Sequence, residues 1–393
     1  MNARFNRKGT MLSSTSRPLI EATLPLIAER IEFITPEFYK RMFAAHPELL
    51  DGMFNTANQG TGEQPRALAG SIAVFATHLL KNPGTYPEAL LSRIAHRHAS
   101  LGVTADQYDI VYTHLFAAIA ADLGEAITPE IAAAWSEVYW LMAHALIKLE
   151  RDLYAIQAND KVWMPWKITE RVEVGNAVNI TFTPADDTPI TPALPGQYVS
   201  VKVLLDSGVH QARQFTLTSP GGAERRITSR RRDDGAVSPI LQDRMPVGSV
   251  VELSNPYGDV VLPAGNHPLV LVSAGIGSTP SASMLRTLAL AGSGRRVQVL
   301  HADQSPEVWA LRDQMMTDIA RLPGASVHTW LGEGSGLAID LSHHNIPADA
   351  ELFVCGPQPF MQRIREQALA LGLPASRVHY EIFGPDVWLP QVD

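Results

Sequence analysis

The spacing of apolar residues changes twice along the chain, and this change constrains the fold more than any other sequence feature. Between residues 18 and 154, apolar side chains recur every three or four positions, as they do on one face of a helix. Two such stripes are Tyr108, Val111, Leu115, Ile119 and Leu123, and Ile131, Trp135, Val138, Met142, Ala145 and Leu149. The first third of the chain is therefore predicted to be an all-α domain.

From about Lys161 the period becomes two, which is typical of half-buried strands. "QYVSVKVLL" places Val199, Val201 and Val203 on one face, and "VNITFTP", "RQFTLTS" and "SVVELSNP" repeat the pattern between glycine, proline and aspartate turns. The pattern predicts a small antiparallel β-barrel. The stretch "NDKVWMPWK" is predicted to be the junction between this barrel and the helices before it.

From about His267, short apolar strands alternate with amphipathic helices. "PLVLVSAG" precedes "PSASMLRTLALAG", "RVQVLHA" precedes "PEVWALRDQMMTDIARL", and "ELFVCGP" precedes "PFMQRIREQALALG". Strands joined through helices form a parallel sheet, so an α/β domain is predicted here. We expect a multidomain chain with limits at 12–155, 160–265 and 266–393.

Composition excludes several classes of protein. The chain carries a formal net charge of -8 and has no long basic block, so nucleic acid is not an expected partner. No apolar run reaches the roughly 20 residues that span a bilayer. The one cysteine excludes an internal disulfide and fits a cytoplasmic location. The first ten residues, which lack the apolar core of a secretory signal, are expected to be a frayed tail or to precede an initiator at Met11, with a transit peptide as the alternative.

Helix starts are marked by capping residues. Thr35 and Thr128 are each followed by proline and glutamate, which suits an N-cap, a first helical position and the positive end of the helix dipole. "TADQ", from Thr104 to Gln107, has the form of a capping box. We therefore expect helices to begin at these three places.

A glycine-containing stretch, "SAGIGSTP", lies where a parallel strand should turn into a helix. Gly275 and Gly277 would let the backbone approach a pyrophosphate at the helix N-terminus. Pro280 stands where a dinucleotide fingerprint has its third glycine, so this stretch alone fits a plain tight turn equally well.

Five further motifs accompany this stretch in a fixed order. They are "PGQY" (195–198), "RQFT" (213–216), "GAVS" (235–238), "CGP" (355–357) and "YEIFGP" (380–385). In this order they resemble the ferredoxin–NADP reductase family over roughly residues 160–393. The resemblance implies that Arg213 pairs with the FAD pyrophosphate, Thr216 reaches flavin N5, and Phe383 stacks on the flavin and moves aside for nicotinamide. It implies a phosphate contact for Ser238. The other residues that it assigns to cofactor binding are Tyr198, Gln214, Phe215, Gly235, Val237, Gly275, Gly277, Thr279, Pro280, Cys355, Gly356 and Pro357.

One departure from that family lies in the barrel. Phe215 occupies a position where the family usually has tyrosine, so the ring face is kept and the hydroxyl is lost. Flavin affinity or potential is expected to differ from the family norm. Taken singly, Phe215 fits a core residue and Arg213 fits a surface ion pair as well as a flavin role.

The helical third contains two histidines, His96 and His98, which lie about 200° apart around a helix and cannot serve one site. Gln64 and Leu68 share a helix face, and His98 follows Gln64 after 34 positions, which leaves room for a chain passing around a flat cofactor. With "NQ…GEQ", "RH", the tyrosine of "DQY" and "HYEIFGP", the chain resembles the flavohaemoglobins from about Met11 to its C-terminus.

The flavohaemoglobin resemblance implies a haem b site in the helical domain. His98 would be the proximal iron ligand, oriented by a hydrogen-bonded chain of Tyr108 and Glu150 that makes the imidazole a stronger electron donor. The residues implied on the other side are Tyr39 and Gln64 as distal polar groups, Leu68 as an apolar wall and Phe54 as a ring against the porphyrin. Taken singly, Glu150 could equally be a solvated carboxylate at the end of a helix. Tyr39 taken singly could equally be a buried tyrosine whose hydroxyl bonds a backbone carbonyl.

The activity implied is that of a nitric oxide dioxygenase. NADH or NADPH would reduce FAD, FAD would reduce haem one electron at a time, and ferrous-oxy haem would convert nitric oxide to nitrate. The sequence does not decide whether NADH or NADPH is the electron donor. It also leaves open whether a lipid binds in the distal pocket. Alternatives are a haem–flavin reductase of alkyl or lipid hydroperoxides or of nitric oxide, a globin-based gas or redox sensor, and a flavin reductase with an inert globin.

Overall fold

A computed structural model describes residues 11–54, 63–219 and 221–384, and it gives only the backbone of residues 63–67 and 69. The chain divides into two compact units. Within the described residues, the first unit is made by residues 11–156 together with Val209–Gln211, and the second by the remainder up to Gly384. The three domain limits expected from the sequence remain predictions.

The described part of the first unit contains five α-helices. They are α1 (Ser16–Ala45), α2 (Glu63–Lys81), α3 (Glu88–Leu101), α4 (Gln107–Leu123) and α5 (Pro129–Ala155). Their inward faces form one apolar core, in which Phe38 and Phe75 are almost completely buried. Such burial, rather than helix propensity, supplies most of the stability of amphipathic helices. The predicted all-α domain is confirmed.

Two of the three predicted helix starts are confirmed. The hydroxyl of Thr128 accepts the N–H of Ile131 at 3.3 Å and caps α5. The backbone N–H of Thr104 donates to Gln107 Oε1 at 3.0 Å just before α4, which is one half of the expected capping box.

The predicted start at Thr35 is wrong, because α1 runs without a break through Pro25 and Pro36. The hydroxyl of Thr35 donates back to the carbonyl of Ile31 at 2.7 Å instead of capping a new helix. A proline inside a helix costs about 3 kcal/mol. The fully buried side chains of Ile34 and Phe38 on either side offset this cost, since each contributes about 1.5–3 kcal/mol on burial.

The second unit begins with a six-stranded sheet in the order β4-β3-β6-β1-β2-β5. The strands are β1 (Met164–Val174), β2 (Ala177–Pro184), β3 (Tyr198–Leu204), β4 (His210–Thr216), β5 (Arg225–Arg230) and β6 (Val250–Leu253). An antiparallel bridge between Leu217 and Ile227 joins the two edge strands, so the sheet closes as the predicted barrel. Part of the predicted junction "NDKVWMPWK" is wrong, because β1 already begins at Met164 and Trp166 is buried in the barrel.

A five-stranded parallel sheet follows, in the order β11-β10-β7-β8-β9. Its strands are β7 (Leu269–Ala274), β8 (Val297–Asp303), β9 (Ala325–Leu331), β10 (Glu351–Cys355) and β11 (Val378–Glu381). The helices of this unit are α6 (Ser238–Asp243), α7 (Ser278–Leu290), α8 (Arg312–Ala320) and α9 (Gln358–Ala370). The predicted α/β domain is confirmed.

The helix predicted over "PEVWALRDQMMTDIARL" is too long, since α8 begins only at Arg312. Trp309 explains the difference, because its ring is 3 % exposed and stacks on His301 of β8 at 4.2 Å between centroids. The preceding segment turns inward to deliver this ring to the apolar core of the sheet. Strands β9 and β11 had no counterpart in the sequence prediction. Among the described residues, no helix is both long enough and apolar enough to cross a membrane.

Candidate functional site

A hydrogen-bonded group, buried except for its partly exposed imidazole, joins three helices of the first unit. His98 lies in the last turn of α3, Tyr108 in the first turn of α4 and Glu150 near the end of α5. Glu150 Oε1 lies 2.8 Å from His98 Nδ1 and 2.5 Å from the hydroxyl of Tyr108, and that hydroxyl lies 3.0 Å from His98 Nδ1. One carboxylate oxygen therefore accepts from both an imidazole and a phenol.

The surroundings hold this group in place. Gly102 ends α3 in the left-handed conformation, with φ 79°, and lets the chain turn toward α4. The hydroxyl of Tyr139 donates to the carbonyl of Tyr108 at 2.6 Å, and that of Tyr154 donates to the carbonyl of Val103 at 2.7 Å. Both tyrosines lie on α5, so the helix that carries the carboxylate also fixes the segment that carries the phenol.

Burial sets the protonation of the phenol. Desolvation raises the pKa of Tyr108 well above its usual value of 10, and the nearby negative charge of Glu150 raises it further. Tyr108 is therefore a neutral donor at physiological pH. Glu150 is 2 % exposed, so its charge acts on the imidazole with little screening by water.

The geometry at His98 suits a haem iron. Its Nδ1 is engaged with Glu150 and Tyr108, and none of the described residues hydrogen-bonds to Nε2. An imidazole held through Nδ1 presents Nε2 to a metal, and the carboxylate increases its electron donation. The sequence-predicted residues His98, Tyr108 and Glu150 are thus brought together, while their roles toward iron remain predictions.

A cluster of aromatic rings surrounds Tyr39. The Tyr39 ring lies 5.5 Å from Phe43 and 5.9 Å from Phe54 between centroids, and the rings of Phe43 and Phe54 lie 5.2 Å apart. Tyr39 is 7 % exposed, and burial raises the pKa of its phenol above 10. Within the described ranges its hydroxyl has no hydrogen-bond partner, so it keeps a proton to donate to a ligand.

The other predicted distal residues are placed in part. Leu68 lies on α2 and packs, partly buried, against the helical core. Gln64 also lies on α2, but its side chain falls outside the described residues. Sequence reasoning missed Phe43, whose four-residue spacing from Tyr39 along α1 could have revealed a shared face.

The barrel presents the predicted flavin residues along β3 and β4. Gln214 donates to the hydroxyl of Ser200 at 2.9 Å and ties the two strands together. Arg213 and Phe215 are partly exposed, whereas Thr216 is buried. Arg213 also donates to the carbonyl of Ala212 at 2.7 Å. The strand β4 thus presents a guanidinium and a partly exposed aromatic ring near its end, as a flavin with its pyrophosphate needs.

Tyr198, at the start of β3, is fixed by a glycine that the sequence analysis did not single out. A Cβ on Gly258 would lie 3.1 Å from the Tyr198 ring, and Gly258 has φ +116°. Tyr198 is 8 % exposed, so little of its ring is left open to solvent. Phe383, two positions after β11, is 46 % exposed, and its stacking on flavin remains a prediction.

The loop after β5 carries the predicted phosphate group contacts. Ser238 begins α6, and its hydroxyl accepts the backbone N–H of Arg232 at 3.0 Å. A Cβ on Gly235 would lie 3.1 Å from the carbonyl of Arg232, so the turn is tight there. Val237 is completely buried and anchors the loop to the barrel core.

The turn between β7 and α7 requires its glycines. A Cβ on Gly277 would lie 2.4 Å from the carbonyl oxygen of Cys355, and one on Gly356 would lie 2.9 Å from the Phe360 ring. Gly275 has φ +55°. The turn before α7 and the loop after β10 therefore approach each other at the carboxyl edge of the sheet, where dinucleotides bind in such folds.

The remaining predicted residues of this edge lie at helix starts. Thr279 donates its hydroxyl to the carbonyl of Ile276 at 3.1 Å and closes the turn, and Pro280 is buried in the first turn of α7. Pro357 directly precedes α9 and occupies its N-cap position without a capping side-chain hydrogen bond. These residues shape the two loops, and their contacts with a nicotinamide remain predictions.

Two further residues point to phosphate at this edge. The hydroxyl of Ser278, the first residue of α7, is completely buried and has no hydrogen-bond partner in the described part of the chain. A Cβ on Gly275 would lie 3.2 Å from Arg230 Nη1, so a guanidinium stands beside the turn. The sequence could have revealed Ser278, because it lies between Gly277 and Thr279 in the glycine-containing stretch. Nothing in the sequence linked Arg230 to this turn, which comes 45 residues later.

Comparison with known proteins agrees with this arrangement. The globin family model matches residues 36–146. A flavohemoprotein of Rhizobium meliloti is 35 % identical over 96 % of this chain and 100 % of its own length. A flavohemoprotein of Bordetella pertussis is 36 % identical over 95 % of this chain and 99 % of its own.

Solved structures show the same similarity. The flavohemoglobin of Malassezia yamatoensis with bound FAD and heme has a TM-score of 0.90 and is 45 % identical, covering 95 % of this chain and 100 % of that one. The FAD/NAD-binding domain of a nitric oxide dioxygenase of Vibrio cholerae has a TM-score of 0.52 and is 31 % identical, covering 56 % of this chain and 99 % of that domain.

The fold, the His98 group and the flavin and nicotinamide residues of the second unit define one class of protein. It is a haem-binding globin followed in the same chain by a flavin and nicotinamide reductase. Such a chain is a haem–flavin oxidoreductase supplied by NAD(P)H, with haem and FAD as cofactors. It belongs to the flavohaemoprotein family. The resemblance stated from the sequence motifs is confirmed.

Proposed function

We propose that this chain is a nitric oxide dioxygenase that works in the cytoplasm with electrons from NADH or NADPH. The observation that carries the proposal is the hydrogen-bonded group of His98, Tyr108 and Glu150, whose carboxylate is buried. A plain oxygen carrier does not require a carboxylate on its proximal imidazole, whereas redox chemistry on bound oxygen benefits from stronger electron donation.

The residues of the helical unit would divide the work between two sides of the haem. His98 would hold the iron through Nε2 while Glu150 retains the proton on Nδ1. The Tyr39 phenol, kept neutral by burial, would donate a hydrogen bond to negative charge that develops on the oxygen ligand. The partly buried rings of Phe43 and Phe54 would provide an apolar wall, which would also accept a lipid chain.

The cofactors supply the electron chemistry. When bound, FAD would supply the conversion of a hydride into single electrons, and haem iron would supply the redox centre at which nitric oxide and dioxygen could combine to nitrate. Each nitrate consumes one nitric oxide, one dioxygen and one electron, so one hydride serves two cycles. Arg213 and Gln214 would hold the flavin, and the loops that meet at Gly277 and Gly356 would hold the nicotinamide.

Purified full-length protein carrying both cofactors tests the proposal. We expect a haem band with a flavin shoulder, and nitrate formed only when reduced nicotinamide, dioxygen and nitric oxide are all present. A His98→Ala variant should lose the haem band and nitric oxide consumption while NADH still reduces its flavin. Equal nitric oxide consumption without dioxygen, faster turnover of a lipid hydroperoxide, or consumption by haem-free protein would each refute the dioxygenase assignment.

A further inference from the structure

A cluster of aromatic rings joins α4 to α5 in the helical unit. The ring of Tyr112, on α4, lies 5.4 Å from that of Tyr139 and 5.4 Å from that of Trp140 between centroids. Tyr139 and Trp140, on α5, are 5.3 Å apart with their planes at 90°. These separations fall in the range of about 4.5–7 Å that is typical of aromatic contacts. Three rings that can each lose a single electron are therefore in mutual contact.

The inner end of this cluster contacts Tyr108. Tyr112 follows Tyr108 by four positions, so the two side chains are neighbours on one face of α4. The hydroxyl of Tyr139 donates to the carbonyl of Tyr108 at 2.6 Å. The Tyr108 hydroxyl in turn lies 3.0 Å from His98 Nδ1. The rings therefore begin beside the phenol that contacts the imidazole.

The outer end of the cluster reaches the surface. Trp140 is partly exposed and lines an open cavity of about 620 Å³. The ring of His144 lies 5.4 Å from that of Trp140, with 32° between the planes. The remaining residues that line the cavity are Ala105, Asp106, Asp109 and Ile147. An indole and an imidazole thus form an aromatic wall, and two exposed carboxylates belong to the same lining.

The two ends of the cluster are suited to different steps of one-electron oxidation. A neutral phenol gives up its proton when it loses an electron, and Glu150 Oε1 lies 2.5 Å from the Tyr108 hydroxyl to receive that proton. An indole can lose an electron without a proton acceptor. The negative charges of Asp106 and Asp109 favour the positive charge that then remains on Trp140.

We propose that the rings between Tyr108 and Trp140 form an electron-transfer pathway, and that the Trp140 cavity binds a small aromatic amine as the electron donor. Such an amine stacks on the aromatic wall, and the two carboxylates favour the radical cation that it becomes. The pathway gives the helical unit a peroxidase activity that needs neither flavin nor nicotinamide. It requires the haem of this family and does not depend on the proposed reaction with nitric oxide.

The atoms and electrons of this activity balance. A hydroperoxide reduced at the haem takes two electrons and two solvent protons, its O–O bond breaks, and it leaves as an alcohol and water. Tyr108 supplies each electron while its phenolic proton moves to Glu150. An electron from Trp140 restores the phenol and the proton returns. The oxidised indole takes an electron from the amine, so each hydroperoxide converts two amine molecules into two radical cations.

Peroxide treatment of the full-length ferric holoprotein, without nicotinamide, tests the pathway. Hydrogen peroxide should produce a protein radical, detected by electron paramagnetic resonance of frozen samples. A nitroso spin trap followed by peptide mass spectrometry should locate the adduct on Trp140. Tetramethyl-p-phenylenediamine should remove the radical and be oxidised at two molecules per peroxide. Adducts found elsewhere in the protein, with Trp140 unmodified, would overturn the inference, and this wild-type measurement decides it even if a variant does not fold.

Trp140→Phe keeps a ring against Tyr112 and Tyr139 but removes the oxidisable indole. It should leave a tyrosyl radical that the amine no longer removes, and it should lose most of the amine oxidation. Trp330→Phe, which removes a partly exposed indole from the second unit, should behave like the wild-type protein. Amine oxidation at the wild-type rate in Trp140→Phe would show that the amine reaches the haem directly, which contradicts the pathway.

A second variant tests the cavity as the binding site. Asp109→Asn should raise the KM for the amine by up to about fivefold, as expected for one exposed charge, and leave kcat unchanged. An unchanged KM would exclude this cavity. Nitrate formation with NADH should be the same in Trp140→Phe as in the wild-type protein, so failure of the pathway alone leaves the proposed function intact.

Discussion

Replacing Glu150 by glutamine changes the charge at the centre of the helical site and little else. Glutamine keeps an oxygen that can accept from His98 and Tyr108, at the 2.8 Å and 2.5 Å separations of the present contacts. Hydrogen bonds to charged groups contribute about 1.5–3 kcal/mol, against 0.5–1.5 kcal/mol for neutral ones. The hydrogen bond to His98 Nδ1 should therefore weaken by about 1–1.5 kcal/mol. Because residue 150 is buried, water does little to screen this difference.

This loss should appear in the haem reduction potential. A carboxylate that increases imidazole donation favours ferric over ferrous iron, so its removal should raise the potential. For a one-electron couple, 1.4 kcal/mol corresponds to about 59 mV, so the expected rise is roughly 40–60 mV. Spectroelectrochemical titration of the full-length holoprotein measures the potential, and resonance Raman of the ferrous form should show a weaker iron–histidine stretch.

Glu137→Gln is the matched control, because Glu137 lies on the same helix and also accepts two hydrogen bonds, from the N–H of Ser13 at 2.7 Å and its hydroxyl at 2.8 Å. It should leave the potential unchanged. Tyr108→Phe removes a competing donor and should shift the potential less than Glu150→Gln does. A Glu150→Gln potential within about 10 mV of the wild-type value, with the same Raman stretch, would refute the assignment of this carboxylate to the imidazole.

Three further outcomes are expected. Tyr39→Phe should speed dioxygen dissociation, measured by flash photolysis, by about 10- to 100-fold, because it removes a donor worth roughly 1.5–3 kcal/mol to a charged oxygen; an unchanged rate would exclude the phenol as donor. Burial raises the pKa of both Tyr39 and Tyr139 above 10, so above pH 10 the unfolded chain loses protons that the folded chain keeps. The free energy of unfolding of the helical unit should then fall by about 1.4 kcal/mol per pH unit for each tyrosine whose pKa is raised, Tyr86 and Tyr108 included, and in urea titrations at pH 9 and 11 the fall in Tyr39→Phe should be smaller by the share of one tyrosine. Gly277→Ala should weaken NAD⁺ binding and destabilise the second unit by about 1–3 kcal/mol through the clash with Cys355, whereas Gly294→Ala, with no atom within 4 Å of its Cβ, should bind normally.

Local sequence signals were sufficient for the order of the domains and for much of the candidate site. The periods of the apolar residues identified the helices, the barrel and the α/β region because each element buries one regular face. The glycine turn at Gly275 was visible because steric restrictions on the backbone are local. His98, Tyr108 and Glu150 could be assigned to one site only through the family resemblance. Local signals could not bring them together, because the contact between residues 98 and 150 depends on how the helices pack.

The errors arose where tertiary packing overrides local preference. Pro36 predicts a helix boundary, but the buried faces on either side of it keep α1 continuous. The segment before α8 has helical periodicity, but stacking of Trp309 on His301 draws it into the sheet. The unpartnered hydroxyl of Ser278 and the approach of Arg230 to Gly275 depend on long-range contacts that no short motif encodes.

The tight contact between Gly277 and Cys355 has a practical consequence. Cys355 is the one cysteine in the chain, its thiol is 4 % exposed, and burial raises its pKa well above the usual range. A thiol reagent can react only when local opening at the end of β10 exposes this buried sulfur. The rate at which the native protein is labelled therefore reports how often this edge of the sheet opens. A bound dinucleotide should lower that labelling rate, and no engineered probe is needed to measure it.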